Sequence, residues 1–90
     1  MKTVKDDNKI TVYPNPSVDY VAWYYTFPKG ENASHLAIFD MLGNKVYSVG
    51  LKGEMGQYIW DVRMVTYGIY LYQLTTNAGV KYFGKVSVKK

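Results

Sequence analysis

The sequence contains no cysteine. That excludes disulfides, thiolate metal sites and any cysteine–histidine nucleophile, although it fits a cytosolic and an extracellular address equally well. There is one histidine, His35, and one arginine, Arg63. A nucleic-acid-binding surface usually needs a broad basic face with arginines for base edges, so that class is set aside. No apolar run approaches the roughly 20 residues a membrane-spanning helix requires. The polar opening Met1-Lys2-Thr3-Val4-Lys5-Asp6-Asp7 is not a secretory signal peptide.

Catalytic signatures are also missing. A serine–histidine–aspartate set can be drawn on paper from Ser17 or Ser48, His35 and Asp19 or Asp40. No nucleophile motif surrounds any of these residues. No pair of carboxylates is placed as a glycosidase needs, and neither a calcium loop nor a phosphate-binding loop occurs. Asp6-Asp7-Asn8 reads as solvated linker, and Asn32-Ala33-Ser34 matches the short glycosylation acceptor pattern. The expectation is a protein that is not an enzyme and uses no metal or cofactor.

What the sequence has in quantity is aromatic residues: 10 Tyr, 3 Phe and 2 Trp in 90 residues. Most lie in runs that alternate with period two, the signature of half-buried strands. The chain length suits one domain. The net charge of +4 has a clear location. Residues 1–80 carry seven Lys or Arg and seven Asp or Glu, which cancel, so the whole excess is Lys81, Lys85, Lys89 and Lys90.

Residues 1–9 read as a charged linker, and residues 10–90 as the domain. Ile10–Tyr13 is a short strand, stopped by Pro14-Asn15-Pro16-Ser17, because two prolines remove two donors and fix φ. Val18–Phe27 is a long strand with Val21, Trp23, Tyr25 and Phe27 inward and Tyr20, Ala22, Tyr24 and Thr26 outward. Pro28–Asn32 turns the chain. Leu36–Asp40 and Asn44–Val49 form a hairpin around Asp40-Met41-Leu42-Gly43, with Asp first and Gly fourth as a type I turn prefers. Gly50–Gly56 reads as a loop, and Gln57–Val62 as a strand with Tyr58, Trp60 and Val62 on one side. Gly68–Leu74 is apolar on both faces, as in a central strand. Val80–Lys90 alternates cleanly: Val80, Tyr82, Gly84, Val86 and Val88 inward, and a polar face broken by Phe83 alone.

About seven short strands at near-regular spacing predict an all-β sandwich of two antiparallel sheets with Greek-key connections. Two surface features suggest function. Tyr20, Tyr24, Phe39 and Tyr47 are candidates for an aromatic platform, which would suit a glycan- or protein-binding accessory module; ordinary cross-strand pairing is the plainer alternative. The lysine-bearing last strand suits edge protection, or an address that a receptor reads.

Four blocks, in order, resemble a known family. Tyr13-Pro14-Asn15-Pro16-Ser17 with Asp19 looks like the opening of the type A C-terminal sorting domain of the type IX secretion system. Leu36-Ala37-Ile38-Phe39-Asp40-Met41-Leu42-Gly43-Asn44-Lys45-Val46 resembles its second block, with the D-x-x-G-x-x-V turn. Val65–Leu74, containing Gly68 and Tyr70, resembles the L-x-x-G-x-Y block with Val in place of Leu. Gly84-Lys85-Val86-Ser87-Val88-Lys89-Lys90 resembles its basic ending.

The resemblance spans about residues 10–90 and implies an immunoglobulin-like seven-strand sandwich. It also implies a sorting signal that directs an upstream cargo through an outer-membrane translocon. A surface sortase-like transpeptidase would then cut within or before residues 1–9, leaving the cargo on the cell surface or released. On this reading Gly84–Lys90 is what the secretion machinery recognises. Tyr13, Pro14, Asn15, Pro16, Asp19, Asp40, Gly43, Gly68 and Tyr70 are structural motif residues, with Gly68 giving a tight strand entry and Tyr70 a core ring whose hydroxyl bonds across a corner. An open sheet edge would also let a weak homodimer form.

Overall fold

A computed structural model describes residues 9–14 and 19–89. The period-two runs become seven strands: β1 (Ile10–Tyr13), β2 (Tyr20–Thr26), β3 (Ala33–Phe39), β4 (Lys45–Gly50), β5 (Met55–Asp61), β6 (Gly68–Thr76) and β7 (Lys81–Val88). They form a three-stranded sheet, β1-β2-β5, and a four-stranded sheet, β4-β3-β6-β7, with every pairing antiparallel. The chain crosses between the sheets at β2–β3, β4–β5 and β5–β6. These are the crossings of a Greek-key, immunoglobulin-like sandwich. The radius of gyration is 12.6 Å.

Alternation decides what each strand buries. In β2, Val21, Trp23 and Tyr25 enter the core, and Phe27 follows directly after the strand; Trp60 and Val62 do the same at the end of β5. From β7, Tyr82, Val86 and Val88 point inward. The space between the sheets is filled by a connected set of rings. Trp23 meets Tyr72 edge-on at 5.6 Å and Trp60 at 6.3 Å, while Trp60 stacks on Tyr47 at 5.9 Å and meets Tyr70 edge-on at 5.8 Å. Farther along, Tyr25, Phe27 and Tyr82 continue the series. Offset and edge-to-face contacts of this kind add about 0.5–1.5 kcal/mol per pair beyond burial alone.

Three elements depart from the expectation. Strand β3 begins at Ala33, earlier than Leu36, because Ala33 is buried and its N–H donates to the Gly53 carbonyl at 2.9 Å. A register shift between Ala33 and His35 absorbs the extra residue. Strand β5 begins at Met55 and takes in Gly56, which reads as loop in the sequence; Gly56 pairs with Tyr25, whose hydroxyl occupies the space a side chain would need. Strand β6 is central in its sheet, but only one of its faces is covered: Tyr70, Tyr72 and Leu74 are buried, whereas Ile69 and Leu71 are exposed. The outward apolar residues of β6 are therefore not explained by the core.

The β3–β4 turn follows its sequence closely. Gly43 donates to the Asp40 carbonyl at 3.0 Å and sits at φ +90°, a conformation glycine adopts without a Cβ penalty. One Asp40 carboxylate oxygen accepts the Leu42 and Asn44 N–H groups at 2.9 Å, and the other accepts the Asn44 side-chain amide at 3.2 Å. The Asn44 backbone donor leads in holding the Asp40 carboxyl below its ordinary value. A depressed folded-state value stabilises the fold above the unfolded pKa, and this contribution fades as pH falls through the folded value. Asp40→Asn is thus expected to lower the melting temperature at pH 7. The gap from the parent should narrow as pH falls below about 4, which thermal melts across pH 2–7 would measure.

Candidate functional site

Strand β7 is an edge strand, bonded to β6 alone. Its inward residues fix it to the body. Val86 and Val88 are almost completely buried, paired with Tyr70 and Gly68. Gly84 lies under the Tyr72 ring: an added Cβ would meet ring atoms at 2.5–2.6 Å. Outward, Lys85 and Lys89 are exposed and Ser87 is half-buried. The basic ending therefore divides in two. Gly84, Val86 and Val88 set the register and packing, and Lys85, Ser87 and Lys89 face out. Lys90 lies outside the described residues.

The motif residues occupy connections and strand ends. Tyr13 closes β1, and the Tyr13–Pro14 peptide is cis. Asn15 and Pro16 lie outside the described residues. The Asp19 carbonyl accepts the Val62 N–H at 2.9 Å, tying the start of β2 to the end of β5. Asp40 and Gly43 build the hairpin turn described above. Gly68 opens β6 at φ 152°, and the Tyr70 hydroxyl donates to the Thr66 carbonyl at 2.5 Å. That bond back across the corner before the strand is the tyrosine corner of immunoglobulin-like sandwiches.

The aromatic platform does not assemble. Tyr20 and Tyr24 lie on the outer side of the three-stranded sheet, Phe39 lies on the other sheet, and Tyr47 points into the core against Trp60 with its hydroxyl on Tyr58. The sequence shows side-chain alternation but not which sheet a strand joins, and residues of like exposure here fall on two different sheets. Burial, with the Tyr47 contact behind it, pushes the Tyr58 hydroxyl up to about 12. Tyr24 instead stacks on Tyr13 at 5.3 Å, and their hydroxyls bond at 3.0 Å.

Next to that pair is an open depression of about 540 Å³ lined by Asp19, Tyr20, Tyr24, Ile59, Asp61 and Arg63. Two of its charged groups pair with each other. Arg63 grips Asp61 through Nε at 3.0 Å and Nη2 at 2.7 Å, and these bonds lower the Asp61 carboxyl to about 2. His35 is half-buried on β3. Among the described residues no group of three His, Asp or Glu is placed to hold a metal ion, and no helix is long and apolar enough to cross a membrane.

The sequence profile of the secretion system C-terminal sorting domain matches residues 11–89, almost the whole two-sheet body. The chain belongs to this family. It is accordingly a type IX secretion sorting signal, one that works with that machinery and marks a protein for export through the cell envelope. No curated protein matches the sequence.

Solved structures agree on the fold of the sorting domain. A dimeric latent PorU from Porphyromonas gingivalis aligns with TM-score 0.69 and 23% identity over 88% of this chain. The match covers 9% of the PorU chain, so the sorting domain here corresponds in fold to a small part of that protein. The sulfur carrier protein SoxY from Chlorobium limicola f thiosulfatophilum aligns with TM-score 0.61 and 16% identity, over 97% of this chain and 83% of the other. Both likenesses concern the sandwich alone.

Proposed function

We propose that the domain is the export address of a larger cargo, and that β7 with the lysines that follow it is the part the outer-membrane translocon reads. The observation that carries this reading is the division within the basic ending. Gly84, Val86 and Val88 are used up in packing, which leaves Lys85 and Lys89 displayed in one fixed register on an open edge. A charge held on a rigid strand is a more specific signal than the same charge on a mobile tail, because no ordering entropy is lost on docking. In this reading the domain performs no chemistry. It is the substrate of a sortase-like surface protease, which cuts within or before residues 1–9 and leaves the cargo attached to the surface or released. The open sheet edges also provide the route for a weak homodimer.

The experiment keeps the fold and removes the charge. A reporter is joined ahead of residue 1 in a bacterium with a working type IX system, and Lys85→Glu, Lys89→Glu and Lys90→Glu are introduced together. Export is expected to fall several-fold while the melting temperature of the isolated domain stays near the parent's. Surface yields equal to the parent's would remove the lysines from the address. Deleting residues 86–90 would be harder to interpret, because it also takes two core valines.

A further inference from the structure

The four-stranded sheet has an outer face that its own core does not account for. Phe83 is 54% exposed, Ile69 48% and Leu71 37%, and Phe39 is half-buried beside them. Register places them together: Phe39 pairs with Leu71, Leu71 with Lys85, and Ile69 with Ser87. No Asp or Glu occurs in any of the four strands of this sheet. Lys81, Lys85 and Lys89 edge the face and form no ion pair among the described residues.

Two depressions flank Lys85. One, of about 340 Å³, is lined by Leu71, Tyr72, Phe83, Gly84 and Lys85. The other, of about 210 Å³, is lined by Ile69, Lys85, Val86 and Ser87.

We infer that this face is a docking surface for an acidic protein partner, one that sets a carboxylate on Lys85 and an apolar side chain into the hollow on either side. The inference rests on the export reading and deepens it: the partner reads β6 and β3 as well as the basic ending. Charge complementarity selects the occupant. A second copy of this chain laid face to face would bring lysine rows together, a like-charge juxtaposition that suppresses the pairing. An anionic lipid surface would answer the charge but would have no use for two hollows at fixed spacing. Apolar side chains seated in pockets, ringed by weaker contacts, are where protein interfaces concentrate their affinity.

The test uses the reporter fusion with Leu71→Gln and Phe83→Ser together, with Lys85→Glu alone, and with Ile59→Ser, which alters an equally exposed apolar residue on the opposite sheet. Melting temperatures of the isolated domains monitor folding. The two face variants are expected to lose export at least fivefold while folded, and Ile59→Ser to export as the parent does. Parent-like export of Leu71→Gln/Phe83→Ser overturns the docking face, as does an equal loss from Ile59→Ser. If the triple lysine variant above fails to export while the face variants succeed, the address stands and the docking face falls. If every variant exports normally, the export reading of β7 falls with it. Binding of the parent domain to vesicles containing anionic phospholipid, weakened by Phe83→Ser, would assign the face to lipid and also overturn the inference.

Discussion

Replacing Trp23 with alanine is expected to cost about 3–5 kcal/mol, the range for removing a large buried aromatic side chain. For a domain whose total stability is of the order of 5–15 kcal/mol, that is a large share of what keeps it folded. Trp23 is fully buried and joins the two sheets: it belongs to β2 and packs edge-on against Tyr72 of β6. It also touches Trp60, which stacks on Tyr47 and meets Tyr70 edge-on, so a cavity at Trp23 loosens the whole ring series.

Trp23→Phe should behave differently. The indole Nε1 is buried with no hydrogen-bond partner. A buried donor without an acceptor costs about 1–3 kcal/mol, and phenylalanine removes that cost while keeping a ring in place. Its net effect should be under about half that of alanine. Denaturant unfolding followed by circular dichroism gives both numbers, and equal losses for the two variants would contradict the claim that a ring at this position carries the packing.

The second large effect is expected at Gly84. Adding one methyl group, Gly84→Ala, should destabilise the domain by about 2–3 kcal/mol, near the upper end for overpacking a core. The new Cβ would meet Cε2, Cζ and the hydroxyl of Tyr72 at 2.5–2.6 Å. A tyrosine at the surface would swing aside, but Tyr72 is buried with its ring edge-on to Trp23. The strain thus passes into the core and works against β7 at the point where it holds the register of Lys85. Gly50→Ala is the control, since nothing lies within 4 Å of its added Cβ and its φ is not positive. Combining Gly84→Ala with Tyr72→Ala should cost less than the sum of the two, with a coupling of about 1 kcal/mol or more. Strict additivity would mean that the glycine is not there for the ring.

These two sites mark where the sequence is legible and where it is not. Period-two alternation identifies Trp23 as inward and Tyr82, Val86 and Val88 as the anchored side of the last strand, because a half-buried strand forces that pattern. The D-x-x-G spacing locates the Asp40–Gly43 turn for an equally local reason. The corner bond of Tyr70 is reachable too, through the geometry shared by sandwiches of this kind. Gly84 and Gly56 are different. Each is glycine because a tyrosine from a neighbouring strand lies over it, and that depends on pairing between residues far apart in sequence. The aromatic platform fails for the same reason: exposure is a property of one strand, but neighbourhood is a property of the sheet. The apolar outer face of β6 is visible in the sequence as Ile69 and Leu71 alternating with Tyr70 and Tyr72, a pattern for which burial on both sides is the ordinary explanation; the sheet order leaves one side uncovered.

Structure and function meet at β7. Its inward half is fixed by the core, and its outward half carries lysines and a phenylalanine that the core does not need. The most direct test is the destination of a reporter joined ahead of residue 1, measured in a type IX-competent bacterium and in the same strain without its outer-membrane translocon. The account predicts that the reporter reaches the surface or medium in the first strain and stays in the periplasm in the second. A reporter retained in both, or exported equally from both, would contradict it.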